Sequence, residues 1–290
     1  MSDEDALLAA IAAHPDEDTP RLAYADWLDE HGRHIRAEFI RVQVDIARKQ
    51  ETLPRALLNR HVDLFKRNQE LLDDHRDELL GPLADLSDSR RVEFHRGFVS
   101  HVTLPVREFL TRSALVAGLR PLPRVRVTGV VGRLIPFLRD PHTGCVTELS
   151  GYSREPDDVP PRYPDLELID GIERLTRLEV VDLEGCGIGD RHCDLAFNYS
   201  LPALADLDLS NNLITDEGVD DLLRTDLPRQ LRRLILGGNP IGDAGAIALA
   251  EGWPTGEADK LKTLNLRFTN IGQPGQEALL ARFGGKVDLF

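Results

Sequence analysis

The stretch Leu207-Asp208-Leu209-Ser210-Asn211-Asn212-Leu213-Ile214 alternates apolar and polar residues, then sets a side-chain amide where the chain must turn. Successive strand side chains point to opposite faces, so Leu207 and Leu209 are expected to bury and Asp208 to face out. The same order of apolar, x, apolar, two further residues, Asn/Cys/Thr, x and Ile returns three times. The copies are Val181-Asp182-Leu183-Glu184-Gly185-Cys186-Gly187-Ile188, Leu234-Ile235-Leu236-Gly237-Gly238-Asn239-Pro240-Ile241 and Leu264-Asn265-Leu266-Arg267-Phe268-Thr269-Asn270-Ile271. Leu178, Leu204, Leu231 and Leu261 each stand three residues ahead. The start-to-start intervals are 26, 27 and 30 residues, and Val287-Asp288-Leu289 follows 23 later as a terminal strand. Self-similarity at such a period is the mark of a repeat architecture.

These residues resemble the leucine-rich repeat. The long period, with Gly242-Asp243-Ala244-Gly245 opening a helical segment, looks like its ribonuclease-inhibitor subclass. The resemblance implies an α/β solenoid, with parallel strands on a concave face and helices on a convex one. Asn212 and Asn239 are expected to satisfy turn backbone groups; Cys186 takes the same slot, and Thr269 departs from it and should loosen the last turn. Helices are expected over 216–224, with Val219, Leu222 and Leu223 inward, and over 244–251, with Ile247 and Leu249. Upstream the pattern weakens. Strands are expected over 99–104 and 125–127, with a helix over 106–117 between them. Val125 and Val181 are 56 residues apart, twice 28, which leaves room for one degenerate repeat with its strand at 145–149. Four prolines make 151–164 an irregular loop. One solenoid over about 92–290 is expected, with degenerate repeats over 92–174 and regular ones over 175–290; the alternative divides it at that loop.

The N-terminal 88 residues read differently, as a helical module before a repeat domain over 89–290. Ser2 and Asp5 form a capping box for a helix that stops near His14-Pro15. Thr19 is expected to cap a second helix, with Pro20 at its first position and Gly32 as its stop. A third helix is expected over 36–49 and a single long one over 55–80, ended by Gly81-Pro82. The run from Asp16 through Thr19-Pro20-Arg21-Leu22-Ala23-Tyr24-Ala25-Asp26-Trp27-Leu28 to Gly32, then Arg36-Ala37-Glu38-Phe39-Ile40-Arg41, closely resembles a bacterial repeat-companion domain over residues 3–48. Members of that family are commonly fused to repeats, so the resemblance implies architecture rather than an activity. Thr19, Pro20, Tyr24, Asp26, Trp27, Glu38 and Phe39 are its signature positions here. Asp18 and Thr19 are expected to cap, Tyr24 and Trp27 to pack; alternatively Tyr24, Asp26, Trp27 and Glu38 hold a partner or the repeats.

Leucine supplies 46 of 290 residues, and the formal net charge is −14, from 49 acids and 35 bases. Such a field disfavours phosphate-rich partners. The charge is uneven: residues 151–250 hold 20 acids against nine bases, whereas 90–139 hold ten arginines. The acidic N-terminus and the lack of a long apolar run point to a cytoplasmic protein. Three cysteines, Cys145, Cys186 and Cys193, fit reduced thiols; a metal site from Cys186, His192 and Cys193, with His142 and Cys145 as further ligands, has no supporting spacing.

No GxSxG, HExxH, P-loop or dinucleotide-binding glycine pattern occurs, so no enzyme activity and no cofactor are expected. The expected function is binding of a protein partner, one with a basic surface, on the concave face of the repeats. Its lining residues are Arg124, Arg126, Asp182, Glu184, Asp206, Asp208, Arg233, Ile235, Asn265 and Arg267. The alternatives are an enzyme or regulatory docking surface centred on the helical module, and weak nucleic-acid binding through the stretch 90–139.

Overall fold

The computed structural model describes residues 2–86, 91–130, 133–151, 172–191, 201–256 and 259–289. The chain divides into two compact units, residues 1–103 with 114–124, and residues 104–113 with 125–290.

The first unit opens with α1 (Asp3–Ala13), α2 (Thr19–Glu30) and α3 (His34–Thr52). The capping box on α1 forms in full: Asp5 N donates to Ser2 Oγ at 3.1 Å and Ser2 N to Asp5 Oδ2 at 3.0 Å. The cap of α2 differs from expectation. Thr19 is already the first helical residue and Pro20 the second, and Asp18 precedes them without a side-chain cap bond. Its carboxylate goes instead to Arg48 Nε at 2.6 Å and to the Arg96 guanidinium. Charge-assisted bonds to arginine are stronger than a neutral cap, so the arginines win.

The single helix expected over 55–80 is broken. It consists of α4 (Arg55–Leu58), a 3-10 turn (Asn59–His61), α5 (Val62–Asp74) and α6 (Arg76–Leu80), with His75 at φ −130° between the last two. Leu71 and Leu80 would face opposite ways on one continuous helix of 3.6 residues per turn. Both are buried, and the break at His75 allows that. An unexpected strand β1 (Val92–His95) then pairs antiparallel with β2 (Phe98–Pro105). Arg96 and Gly97 make the hairpin turn with φ of 50° and 82°, the two positive values that a two-residue turn of matching twist requires. One core cluster gathers Ile11, Tyr24, Leu28, Ile40, Val44 and Phe98; another gathers Phe39, Leu71 and Leu79.

After α7 (Val106–Ala117) the second unit is built on a parallel ladder. Its strands are β3 (Arg124–Thr128), β4 (Glu148–Ser150), β5 (Val180–Asp182), β6 (Asp206–Asp208), β7 (Arg233–Ile235), β8 (Thr263–Asn265) and β9 (Val287–Asp288), paired in chain order. A short helix α8 (Leu134–Arg139) precedes β4. Helices α9 (Asp216–Leu223), α10 (Asp243–Gly252) and α11 (Gln273–Phe283) follow β6, β7 and β8. The fold is therefore of mixed α/β type with a parallel sheet. Val127, Leu149, Val181, Leu207, Leu234, Leu264 and Val287 stand in one register row. The equal halves of 28 expected upstream are in fact intervals of 22 and 32. The strand sought at 145–149 is Glu148–Ser150, because Thr143–Cys145 is a 3-10 turn. Of the loop expected over 151–164, all but Gly151 lies outside the described residues.

Two ladders of side-chain hydrogen bonds stitch the turns. Asn212 Oδ1 accepts from Ile188 N at 2.9 Å, and its Nδ2 donates to Leu183 O and Leu209 O. Asn239 repeats this one turn on, accepting from Ile214 N at 3.0 Å and donating to Leu209 O and Leu236 O at 2.8 Å each. Thr269 donates to Leu266 O at 2.8 Å, within its own turn. Cys186 is buried in its slot with Sγ 3.5 Å from Glu184 O.

The second ladder joins helix starts. Asp190 Oδ1 accepts from Thr215 N and Gly218 N, Asp216 Oδ1 from Gly242 N at 2.7 Å, and Asp243 Oδ1 from Gly272 N and Gly275 N. Each aspartate thus satisfies amides at the start of the next helix. It needs a glycine there: a Cβ on Gly245 would lie 2.6 Å from Asp216 Oδ1, and one on Gly275 2.7 Å from Asp243 Oδ1.

Replacing Asn239 by Ala should strand the Ile214 amide and the Leu236 carbonyl in a buried turn, while Leu209 O keeps Asn212, and cost about 2–4 kcal/mol in equilibrium urea unfolding. A loss below about 0.5 kcal/mol would show that the turn does not depend on the amide. Helix propensity alone would make Gly245→Ala stabilising by about 1 kcal/mol. The clash with Asp216 reverses that sign. In a double-mutant cycle with Asp216→Ala, the two losses should add to less than their sum; strict additivity would contradict the contact.

Candidate functional site

Beside its buried apolar row, the parallel ladder carries two further rows of side chains, exposed or half-buried except at Ser150 and Ile235. Arg126, Glu148, Val180, Asp206, Arg233 and Thr263 share one register position. Ser150, Asp182, Asp208, Ile235, Asn265 and Asp288 share the other. Neighbours along a row stand about 4.8 Å apart across strands. Of the residues expected to line such a face, Arg126, Asp182, Asp206, Asp208, Arg233 and Asn265 stand in these rows. Ile235 does as well but is 9% exposed. Arg124 opens β3 and falls in the first unit. Glu148 belongs to the face and was not expected there, because the strand that carries it begins three residues later than the pattern implied.

Strand ends recruit several of these groups. Asp182 Oδ1 accepts from Glu184 N at 3.2 Å, Asp208 Oδ1 from Ser210 N at 3.0 Å and Asn265 Oδ1 from Arg267 N at 3.0 Å. A short acceptor at that position ends the strand by bonding its own backbone two residues on. The third residue after that position is left-handed in all four repeats: Gly185, Asn211, Gly238 and Phe268 have φ of 62°, 55°, 70° and 57°. Asn211 Nδ2 reaches back to Glu184 Oε1 at 2.7 Å. Arg267 pairs with Asp288 at 3.6 Å, and its guanidinium lies 5.6 Å from the ring centroid of Phe268, which is 84% exposed.

The charges are grouped. Asp182 and Asp208 are register partners, so two carboxylates face the same way on adjacent strands. Like charges in that arrangement repel. Arg126 approaches Asp182 to 3.9 Å from β3, and Arg233 is the register partner of Asp206 on the other side. Burial, with Asp182 and Glu184 beside it, pushes the Cys186 thiol up to about 12, and burial pushes Cys145 up to about 11. Neither thiol is poised for ionic chemistry. No metal-holding group of three His, Cys, Asp or Glu exists among the described residues; His192 and Cys193 lie outside them.

The family model for the leucine-rich repeat matches residues 203–223, 229–250 and 259–280. Residues 203–280 carry three leucine-rich repeats. Each match holds one strand, β6, β7 or β8, and most or all of the helix after it. The repeat of β5, with Cys186 in its turn, precedes the matched residues. No curated protein matches the chain. Leucine-rich repeats generally mediate protein–protein interaction, and no helix among the described residues is long and apolar enough to cross a membrane.

The acids of the N-terminal signature are engaged within the first unit. Arg41 bridges Asp26 at 2.7 Å and Asp29 at 2.6 Å, and Arg67 grips both oxygens of Glu38 at 2.7 and 2.9 Å. Tyr24 is buried, stacked on Trp27 at 5.9 Å, and its hydroxyl donates to Glu4 Oε1 at 2.8 Å. Trp27 lies between the His31 ring at 3.9 Å and the Arg33 guanidinium at 5.0 Å. Phe39 packs edge-on against Phe94. Arg21, which the sequence reading passed over, is 5% exposed and donates to Glu17 O at 2.6 Å and Pro15 O at 2.7 Å. Its only signal in the sequence is its place one turn after a proline-containing loop. Within the basic stretch, Arg96 sits on Asp18 and Glu51, and Arg112 lies 3.6 Å from Glu108.

The Arg33 guanidinium, hydrogen-bonded to Glu4 at 2.6 Å, holds that carboxyl below its usual 4.5. A carboxyl lowered in the folded state stabilises above its unfolded pKa and ceases to as pH falls through the folded one. The stability advantage of the natural chain over Glu4→Gln should therefore be flat from pH 7 to about 5.5 and shrink below about 4.5. An advantage that grew on acidification in thermal melts would contradict the pairing.

Proposed function

We propose that this chain is a non-catalytic interaction module, and that the exposed rows of the parallel ladder receive a protein partner. In this reading the repeats form a solenoid of the ribonuclease-inhibitor kind over 89–290. Residues 1–88 form a companion helical module, and the protein works in the cytoplasm. The single observation that carries the reading is the in-register pair Asp182 and Asp208, with Asp206 and Glu184 beside it and arginines on both flanks. Like charges on neighbouring strands cost a few tenths to about 1 kcal/mol. A basic patch on a partner would relieve that repulsion, and the Arg126 and Arg233 flanks would fix its register. Such complementarity acts mainly on encounter rate and on the choice of partner.

Three further features support the reading over the alternatives. The leucine-rich repeats are of a kind typically without catalysis. The signature carboxylates Asp26, Asp29 and Glu38 are held by arginines, not poised around a substrate space. Arg96, Arg112 and Arg126 of the 90–139 stretch are spent on internal pairs, which weakens the case for nucleic acid.

The test is the double variant Asp206→Lys with Asp208→Asn, since Asn keeps the acceptor that Ser210 N requires. With an unchanged circular dichroism spectrum and melting temperature, the variant should lose most of the proteins that co-purify with the natural chain at low salt. Recovery of the same proteins at the same yield would remove the ladder face as the docking surface.

A further inference from the structure

A pocket of about 240 Å³ in the first unit lies apart from the ladder face. Tyr24, Phe98, Leu79, Pro82 and Pro121 supply its apolar walls. Arg33, Arg36 and Arg120 line it with a single carboxylate, Glu78. Three cations to one anion is unexpected in a chain of net charge −14.

The arginines elsewhere in this unit set the contrast. Arg41, Arg48, Arg67 and Arg96 each rest on carboxylates. Among the described residues, no carboxylate lies within ion-pairing distance of Arg36 or Arg120. Arg36 donates from Nη1 to Leu79 O at 3.0 Å, and its guanidinium lies 5.4 Å from the Phe98 centroid and 6.0 Å from that of Phe39. Among the described residues, Arg120 donates only to nearby carbonyls, Ala117 O at 3.0 Å and Leu119 O at 2.7 Å. Arg33 is turned toward Glu4. Burial pushes the Arg36 guanidinium down to about 10; the charge of Arg33 adds a smaller push the same way, while Tyr24 and Glu78 act against it.

A desolvated guanidinium without a counter-ion is unfavourable unless something supplies the anion. Its planar fork matches the two oxygens of a carboxylate or phosphate. The aromatic and proline walls beside it suit a flat or compact apolar group. We propose that this pocket binds a small organic oxyanion, a carboxylate or phosphate monoester joined to a compact apolar body. Arg36 grips the oxyanion at the aromatic wall, Arg120 closes on it from the exposed side, and Phe98 and Pro121 hold the body. The site stands independently of the ladder face and of its partner.

The experiment is a titration of the full chain, followed by amide chemical shifts, with phenyl phosphate, benzoate and inorganic phosphate. The expected result is saturable shifts of the Leu79, Gly81, Val99 and Leu119 amides with at least one organic probe. Which of the two binds better distinguishes phosphate from carboxylate. Inorganic phosphate should bind about tenfold more weakly, because it leaves the apolar walls empty; equal affinity would overturn the apolar half of the proposal. Arg36→Lys keeps the charge but not the fork and should weaken binding. Arg120→Glu, at an exposed residue bonded only to local carbonyls, should fold normally and weaken it about tenfold or more. No saturable shift with either organic probe, or unchanged affinity in Arg120→Glu, would overturn the site.

Discussion

A strand of three residues leaves nearly as many polar backbone groups at its ends as it pairs along its length. Where such strands stack, the turns between them are buried, and every amide and carbonyl there must find a partner. In this chain several of the partners are side chains from the neighbouring repeat, beside backbone carbonyls of that repeat. Asn212 answers the amide of Ile188 and Asn239 that of Ile214; Asp190, Asp216 and Asp243 answer the amides at the next helix start. The bonds run from one repeat to the next, so no repeat completes its own hydrogen bonding alone. The leucine rows supply the burial, but leucines alone would tolerate a slipped stack. An amide donor and acceptor aimed at named carbonyls and amides does not.

That constraint decides which positions remain free. Inward strand positions must be apolar, the turn slot must carry Asn or a small substitute, and the starts of α9 and α10 present Asp with Gly two residues on. The outward strand positions answer to none of these demands, and there the residues diverge: Arg126, Glu148, Val180, Asp206, Arg233 and Thr263 along one row. The second row is less free, because Asp182, Asp208 and Asn265 also close the strand ends. The carboxylates of Asp182 and Asp208 therefore have a structural explanation as acceptors, which asparagine would satisfy equally well. Their charge, held in register against itself, does not.

The regular repeats were readable because each repeats the same physical demand. Four copies of one pattern placed the strands at Val181, Leu207, Leu234 and Leu264, and the apolar spacing placed a helix over Val106–Ala117. Reading failed where a tertiary partner overrode local preference. Asp18 and Thr19 read as a helix cap, but two arginines, one of them 78 residues away, take the Asp18 carboxylate. The periodicity of 55–80 suits a long helix, yet Leu71 and Leu80 must both reach the core. The strand at β1 is four residues long and carries its signal in Arg96-Gly97, a turn whose first residue is an uncommon choice at positive φ. Of the ladder face, the positions on regular repeats were legible. Glu148 was not, since its repeat keeps neither the 26–30 residue spacing nor the turn amide.

The first unit uses charge in a second way. Several of its helices lack side-chain caps, so arginines reach over to carbonyls and carboxylates that helix starts and loops leave open. Arg21 gathers the carbonyls of the loop between α1 and α2, Arg96 ties the hairpin to Asp18 and Glu51, and Arg41 and Arg67 cross-link helices. In each case the guanidinium meets either a carboxylate or several carbonyls. Arg36 meets one carbonyl and two aromatic rings, although it is more deeply set than Arg41 or Arg67, which have carboxylates. A scaffold role alone would be served by a neutral donor to Leu79 O, without a charge to desolvate. The two ring faces return part of the cost of that charge, and an anion would return the rest, which separates Arg36 from the arginines that hold the fold.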